Sequence, residues 1–260
     1  MTKKKKIILS LTSYGKRVDT VYLTIQTLLK QTKKADKIVL WLAEDEFSLE
    51  TIPASLKSLV DEGKLEVGFC KDIRSYKKLV PSLKKYPNDI IITFDDDIFY
   101  KNDIVEKLYN AYLKEPELLH CMRGRMMKYN SKGELLSYKK WRKFPLYFKA
   151  DINILPTTGG GTLFVKEYFD EDVFRDDVFM KLAPHADDVW FKAMTMKNGV
   201  KCKLIKRRFW HSTKLDNIDG TQEGGLWELN RNIYEGNNPQ IKAVFEKYGI
   251  CKMVDIPKKK

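Results

Sequence analysis

The chain has 260 residues, of which 48 are Lys or Arg and 35 are Asp or Glu, so its formal net charge is +13. This length allows one large domain or two small ones, and the charge favours an anionic partner such as phosphate, an acidic membrane surface or nucleic acid. No apolar run approaches the ~20 residues of a membrane span, no secretory signal is visible, and the four scattered cysteines indicate neither a zinc site nor a disulfide framework. We expect a cytoplasmic protein whose basic surface suits peripheral contact with the inner face of the plasma membrane.

Strands and helices alternate over the first part of the chain. A strand over 7–11 leads through a polar loop into a helix over 18–31, and a strand follows at 37–42. The remaining elements of this part are a helix over 54–62, a strand over 65–70, a helix ending near 86 and a strand over 90–94. This alternation predicts a doubly wound, Rossmann-like arrangement of mostly parallel strands. Because the chain has neither a G-x-G-x-x-G nor a P-loop pattern, an ordinary dinucleotide or Walker site is not indicated.

The last of these strands ends in three carboxylates. The run from Ile90 to Phe94 is typical of a strand buried on both faces, and Asp95, Asp96 and Asp97 follow it directly. Adjacent carboxylates raise one another's pKa, and a divalent cation relieves this cost because it takes oxygen ligands. In open α/β sheets, ligands bind outside the carboxyl ends of strands. We therefore predict a Mn²⁺ or Mg²⁺ site here, with a solvated acidic turn as the alternative.

The second part of the chain holds further candidates. An aromatic stretch at 137–149 is either a hydrophobic cluster beneath a loop or an acceptor-binding surface. The glycine run at 157–162 either lets the backbone approach a ligand closely or forms a flexible loop. Asp187 and Asp188 begin a helix, where acids also suit the helix dipole. The other predicted elements are a helix over 104–114, a strand over 121–128, a strand over 200–205, a Gly-rich lid over 216–236 and a helix over 239–248.

These parts together meet the needs of sugar transfer from a nucleotide diphosphate. A metal on the strand-end acids would neutralise the leaving diphosphate, a carboxylate would deprotonate the acceptor hydroxyl, and basic residues with a closing loop would hold the phosphates. The order of five segments resembles the bacterial GT-A-type glycosyltransferases that build cell-surface polysaccharides such as capsule or lipopolysaccharide. The resemblance covers roughly residues 7–211 and rests on segments 9–14, 37–42, 74–79, 94–97 and 186–190.

The resemblance implies a single-domain GT-A fold, an α/β class with a mostly parallel central sheet flanked by helices. Within a glycosyltransferase domain over 1–215, residues 1–103 would form the nucleotide-sugar-binding half and residues 104–215 the acceptor-binding half. Residues 216–260 would form a C-terminal lid and a helical tail packed on the same domain.

The resemblance also implies roles for individual residues. Asp95 and Asp97, with His211 as a third ligand, would bind the metal, and Asp96 could replace either aspartate. Asp188 would be the catalytic base, and Asp187 is the second choice for that role. Donor binding would fall to Thr12, Ser13, Tyr14, Arg17, Asp72, Arg74, Lys78 and Asp96, and contacts with the donor sugar or the acceptor to Gly159, Gly160, Gly161 and Trp190.

The predicted function is a metal-dependent, inverting glycosyltransferase that moves a hexose from a nucleotide-diphosphate sugar, with UDP favoured, to a glycan or lipid-linked glycan acceptor. One alternative is a metal-dependent phosphotransferase or nucleotidyltransferase that uses the same aspartate cluster. The other is a basic protein that binds nucleic acid without catalysis. No nucleic-acid partner is expected, because the basic residues and the aromatics do not follow a known nucleic-acid-binding pattern.

Overall fold

The computed structural model describes residues 5–143, 149–205, 216–221 and 236–254. Within these ranges the helices are α1 (Val21–Leu29), α2 (Ala54–Asp61), α3 (Val80–Lys85), α4 (Ile104–Lys114), α5 (Asp176–Leu182), α6 (Asp187–Lys197) and α7 (Asn237–Lys247). The strands are β1 (Ile7–Thr12), β2 (Lys37–Ala43), β3 (Glu66–Cys70), β4 (Ile90–Phe94), β5 (Ile98–Phe99), β6 (Leu119–Cys121), β7 (Gly124–Met126), β8 (Arg142–Lys143), β9 (Ile154–Pro156), β10 (Gly160–Phe164), β11 (Cys202–Leu204) and β12 (Asp216–Asn217).

The centre of the fold is a seven-stranded sheet in the order β11-β6-β10-β4-β1-β2-β3. Neighbouring strands are parallel except at β10, which runs antiparallel to both β4 and β6. Two small sheets, β12-β5 and β8-β7-β9, lie beside it. The predicted fold class is confirmed: the chain forms a single α/β, Rossmann-like domain with a mostly parallel central sheet flanked by helices.

The core lies on both faces of the central strands. All five residues of β4 are buried, and so are the first five residues of β1. The two strands pair in parallel, with Ile7 opposite Ile90 and Ser10 opposite Thr93. Their near-continuous apolar runs suit a position covered on both sides. Because the strands are parallel and in register, the residues that follow Thr12 and Phe94 come together at one edge of the sheet.

Two elements differ from the sequence-based prediction. The helix expected over 18–31 begins as a 3-10 turn over Gly15–Asp19 before α1, and Thr20 occupies the N-cap position without a side-chain hydrogen bond. The strand expected over 121–128 is two strands, β6 and β7, which belong to different sheets. Gly124 lies close to β9: a Cβ atom there would be 2.9 Å from the carbonyl oxygen of Leu155. The apolar pattern did not reveal this change of sheet.

The C-terminal helix α7 packs against α5 and α6. Ile241, Val244 and Phe245 of α7 are fully buried. In the aromatic stretch, Trp141 is buried and its indole N–H donates to the carbonyl oxygen of Leu136 at 2.7 Å, as expected of a hydrophobic cluster. None of the described helices combines the length and apolar character needed to cross a bilayer.

Candidate functional site

The candidate site lies where β1 and β4 end and β10 begins. In the antiparallel pair Gly160 lies opposite Phe94, so the glycine run is at the same edge of the sheet as the three aspartates. The carboxyl ends of neighbouring parallel strands meet at one edge, and side chains from several loops converge there. The residues of this edge come from positions as far apart in the chain as Ser13 and Asp188.

Asp96 is held inside the protein rather than toward solvent. Its Oδ2 accepts a hydrogen bond from the Ser13 hydroxyl at 2.6 Å, and its Oδ1 contacts the Arg17 guanidinium at 2.5 Å. Its carbonyl oxygen accepts a hydrogen bond from Thr24 at 3.0 Å. Burial raises the pKa of Asp96 to about 6, although Arg17 and Ser13 counteract part of that effect. The middle aspartate therefore fixes the position of the loop and of Arg17.

Arg17 also binds the third aspartate. Its guanidinium lies 2.7 Å from Oδ2 of Asp97. Burial lowers the pKa of Arg17, but the carboxylates of Asp96 and Asp97 outweigh burial and hold that pKa above its ordinary value. Arg17 is therefore a fixed cation between the ends of β1 and β4. The exposed ring of Tyr14 lies beside it, with 5.4 Å between the ring centroid and the guanidinium carbon.

Lys78 connects the two groups of acids that the sequence analysis singled out. It ends the 3-10 helix Arg74–Lys78, and its ammonium lies 2.6 Å from Oδ1 of Asp95 and 3.5 Å from Oδ2 of Asp187. Burial lowers the pKa of Lys78, but Asp187, Asp95 and Asp188 together hold it well above the ordinary value. The strand-end acids and the acids of α6 thus share one buried cation.

Asp188 has the environment of a general base. Its Oδ1 accepts hydrogen bonds from the Thr158 hydroxyl at 2.6 Å and from the Thr158 backbone N–H at 2.8 Å. Burial and the neighbouring carboxylate of Asp187 raise the pKa of Asp188 to about 7, whereas Lys78 and Thr158 act to lower it. A group that titrates near neutral pH can accept and release a proton during a reaction.

The glycine run lies close to the Asp95 and Arg123 side chains, whereas its predicted approach to a ligand stays a prediction. A Cβ atom at Gly159 would overlap the Asp95 carboxylate, and one at Gly160 would lie 2.8 Å from Cδ of Arg123. Gly161 has a φ of +96°, a conformation that side chains disfavour. The Tyr100 hydroxyl donates to the Gly159 carbonyl and accepts from the Asp95 backbone N–H at 2.9 Å, so it joins the run to the strand end.

Other predicted donor-binding residues are occupied by protein contacts. The Thr12 hydroxyl donates to the Trp41 carbonyl of β2 at 2.7 Å. Asp72 binds the Lys77 ammonium and accepts a hydrogen bond from the Arg74 backbone N–H at 2.9 Å. The guanidinium of Arg74 contacts the ring of His185. Arg74 has a φ of +55°, which is strained for a residue with a side chain.

One of the predicted site residues that the structure describes lies away from this edge. Trp190 is fully buried, and its indole N–H donates to the Val173 carbonyl at 3.3 Å. α6 directs the indole into the core against Phe179 and Tyr248, a position that gives no support to the predicted contact with the donor sugar or the acceptor. His211 lies outside the described residues.

The sequence analysis missed two residues of the site, Tyr100 and Arg123, which carry no local motif and which only the fold brings to this edge. It included Thr158 and Tyr138 only as members of the glycine run and of the aromatic stretch, and gave neither a role of its own.

The acids suit a hard divalent cation in their chemistry. Asp95 and Asp97 supply only oxygen atoms, the donors that Mg²⁺ and Mn²⁺ prefer. The Asp95 side chain is 40% exposed, whereas that of Asp97 is 13% exposed. Among the described residues, no cluster of three or more His, Cys, Asp or Glu side chains has a geometry that could hold a metal ion. Mg²⁺ is often bound by one or two carboxylates together with substrate phosphates, and these two aspartates fit that mode.

Comparison with known proteins gives a match to structures but not to sequences. No protein-family model matches the chain, and no curated protein matches it significantly. A structure of 4-diphosphocytidyl-2C-methyl-D-erythritol synthase is similar at a TM-score of 0.45 and 11% identity, over 79% of this chain and 90% of that one. A structure of CMP:2-keto-3-deoxy-manno-octonic acid synthetase complexed with CTP gives a TM-score of 0.44 and 12% identity, over 78% and 90% of the two chains.

This comparison corrects the predicted function. Neither neighbour is named as a glycosyltransferase, and no match supports a role in capsule or lipopolysaccharide synthesis. The prediction of a hexosyl-transferring glycosyltransferase is therefore wrong on this finding. At 11% and 12% identity and TM-scores of 0.45 and 0.44, the likeness gives no residue a role. The function has to be argued from the side chains of the site.

Proposed function

We propose that the protein is a nucleotidyltransferase, which transfers a nucleoside monophosphate from a nucleoside triphosphate to a hydroxyl group of an acceptor. The observation that carries the proposal is the position of Lys78, whose buried ammonium joins Asp95 to Asp187. The acids that follow β4 and the helix that begins with a candidate base are thereby held side by side. Two fixed cations at this edge, Arg17 and Lys78, suit a substrate that carries several negative charges.

The proposed reaction assigns one task to each group. The acceptor oxygen attacks the α-phosphorus, a new P–O bond forms, and the bond to the β-phosphate oxygen breaks to release pyrophosphate. Asp188 accepts the proton that the acceptor hydroxyl loses. Arg17 and Lys78 stabilise the negative charge that develops on the leaving pyrophosphate. Ser13 and Asp96 orient Arg17 for this task.

A divalent cation would be held by Asp95 and Asp97 and would neutralise charge on the triphosphate when bound. Gly159 lets the Asp95 carboxylate lie directly against the backbone of the glycine run, because a Cβ atom there would overlap that carboxylate. We also propose a cytoplasmic location, and the net charge of +13 supports peripheral contact with an acidic membrane surface.

The first experiment asks which bond of the nucleotide is broken. The purified protein is incubated with Mg²⁺, a small-molecule extract as the source of acceptor, and each nucleoside triphosphate labelled with ³²P at either the α or the γ position. We expect the α label in a new nucleotide-linked product and the γ label in pyrophosphate. Release of nucleoside diphosphate, or no turnover with any nucleotide, would refute the proposal.

The variant Asp188→Asn tests the assigned base. We expect product formation to fall at least 100-fold, in line with the usual contribution of a general base, while nucleotide binding is retained. The matched control is Asp177→Asn, because Asp177 is an exposed aspartate near the start of α5, paired with Arg175. Equal activity in both variants would remove Asp188 from the mechanism.

A further inference from the structure

A second group of basic side chains lies near Asp188 and has no task in the proposed nucleotide chemistry. Arg125 lies in β7, and its guanidinium carbon is 4.3 Å from the centroid of the Tyr138 ring. No carboxylate among the described residues forms a salt bridge with Arg125. A cation–π contact leaves the N–H donors of a guanidinium available to a planar or tetrahedral anion.

The Tyr138 hydroxyl relates Arg125 to the proposed base. Burial raises the pKa of Tyr138 and so does the charge of Asp188, whereas the charges of Arg125 and Arg123 lower it. One hydroxyl is thus within electrostatic reach of Asp188 and of two guanidinium groups. Arg123 also acts on Asp95, and its aliphatic stem packs over Gly160. Positive charge therefore extends from the strand-end acids to Tyr138.

The amino end of α7 adds donors at the same place. The Asn238 side-chain oxygen accepts a hydrogen bond from the Tyr138 backbone N–H at 2.8 Å. Gly236, the N-cap residue, provides no side-chain cap for the N–H groups of the first turn. Asn237 is 9% exposed, and its side chain hydrogen-bonds with the Tyr138 hydroxyl, which acts to lower the pKa of Tyr138. The backbone N–H groups at a helix N-terminus carry partial positive charge and bind anions.

We propose that Arg125, Tyr138 and the amino end of α7 bind an anionic group of the acceptor, a carboxylate or a phosphate, while its hydroxyl faces Asp188. This inference rests on the proposed function and adds to it the chemical class of the acceptor. A neutral acceptor seated here would bury the guanidinium without a counter-ion, which costs free energy. An anion removes that cost and can accept two parallel hydrogen bonds from the guanidinium.

The test observes the arginine side chains directly. Protein labelled with ¹⁵N in arginine is titrated with inorganic phosphate and with malonate, at constant ionic strength set by chloride, with and without saturating nucleotide and Mg²⁺. The Nε–Hε resonance of Arg125 is assigned from its loss in Arg125→Gln. Lys128→Gln is the matched control, since Lys128 is exposed and follows β7 by two residues.

We expect a saturable shift of the Arg125 resonance that persists with nucleotide bound. In the variants, two of which lack that resonance, binding is measured by isothermal titration calorimetry. It should weaken at least tenfold, or about 1.4 kcal/mol, in Arg125→Gln, by less in Arg125→Lys, and not in Lys128→Gln. A response to malonate alone identifies a carboxylate acceptor, and a response to phosphate alone identifies a phosphorylated one. Thermal unfolding of each variant shows whether it is folded.

Two results would overturn the inference. One is the absence of a saturable shift at Arg125 beyond that caused by chloride. The other is a shift that bound nucleotide abolishes, because the subsite would then belong to the nucleotide's own phosphates. Failure of the proposed function is a separate result: the pyrophosphate assay would be negative while the Arg125 shift persisted, leaving an anion site without nucleotidyl transfer.

Discussion

Asp188 differs from an ordinary surface aspartate in two ways: it is removed from water, and a second carboxylate lies beside it. Both favour the protonated form, and Lys78 and the Thr158 donors favour the ionised form. Tyr76 lies on the same side of α6, and the charges of Asp187 and Asp188 contribute to its raised pKa. The balance leaves Asp188 near the point where protonated and ionised forms are equally populated at neutral pH.

The activity of the protein should therefore depend on pH through Asp188. The folded-state pKa of about 7 means that the group is protonated below that pH and cannot accept a proton. We expect the logarithm of kcat to rise with a slope of about one per pH unit below pH 7 and to level off above it. A pH series from 5.5 to 9 measures this, and a profile that is flat across pH 7 would contradict the assignment.

The charge of Lys192, unlike that of Asp188, is not balanced by a close partner of opposite charge among the described residues. Lys192 is 1% exposed in α6, and its ammonium has no hydrogen-bond partner among the described residues. Burial lowers its pKa to about 8, although Cys202, Cys121 and Asp151 act to raise it. The unfolded chain binds a proton more tightly, so the cost to stability is complete below pH 8 and disappears as the pH rises toward the ordinary lysine value.

We expect Lys192→Met to raise the melting temperature at pH 7 by several degrees, because it removes a cost on the order of 3 kcal/mol. The gain should shrink between pH 8 and pH 10.5, where the wild-type lysine loses its charge in the folded state. Calorimetry across this range measures the effect. Lys181→Met, at an exposed lysine of α5, should show no such trend. A gain that stays constant with pH would show that the charge is not its cause.

At the scale of elements, the 3-10 helix Arg74–Lys78 holds the two acid groups together. Its Tyr76 hydroxyl donates to the Ala183 carbonyl at 2.6 Å, and the Tyr76 ring stacks on Phe179 of α5 at 3.9 Å between centroids. These contacts fix the segment against the part of the chain that leads into α6. The distance between Lys78 and Asp187 is therefore set by packing of rings, not by the ion pair alone.

Replacing Lys78, the cation shared by the two groups of acids, should change the dependence of activity on pH. In Lys78→Met, Asp188 loses a neighbouring positive charge, so its pKa rises further. We expect the acid limb of the activity profile to move to higher pH and nucleotide affinity to fall. Lys84→Met is the control, since Lys84 is exposed on α3. An unchanged acid limb in Lys78→Met would separate Lys78 from the base.

The contact between β4 and the glycine run should tolerate no side chain. In Gly159→Ala the added methyl group would overlap the Asp95 carboxylate, so either the strand end or the run must move. We expect loss of metal-dependent nucleotide binding in a thermal-shift assay. Gly63→Ala is the contrast, because Gly63 has open space but a φ of +67°. It should lose about 1 kcal/mol of stability and keep nucleotide binding. Normal binding in Gly159→Ala would refute the close approach.

At the scale of the whole molecule, the sequence predicted those features of the fold that depend on local residue patterns. The apolar run of β4, the acids that follow it and the alternation of strands and helices were enough for the fold class. Pairing of Asp188 with Thr158, burial of Trp190 and the bridge through Lys78 were not predictable, because they depend on which elements pack together. Residue type predicted that Asp188 could be a base, and only its surroundings give it a pKa near neutral.

The position of the antiparallel strand β10 determines whether the chain can be cut into fragments that fold separately. It lies between β4 and β6, so the edge of β4 is covered by residues that come about 70 positions later in the chain. A fragment that ended near residue 103 would present β4 as an open, apolar edge with unpaired backbone groups, which favours association with other chains. Its aspartates would also lack the glycine run against which Asp95 is seated. The two halves of the sheet are therefore complementary parts of one folding unit. A chimaera made by exchanging one half between related proteins would have to take β4 and β10 from the same parent.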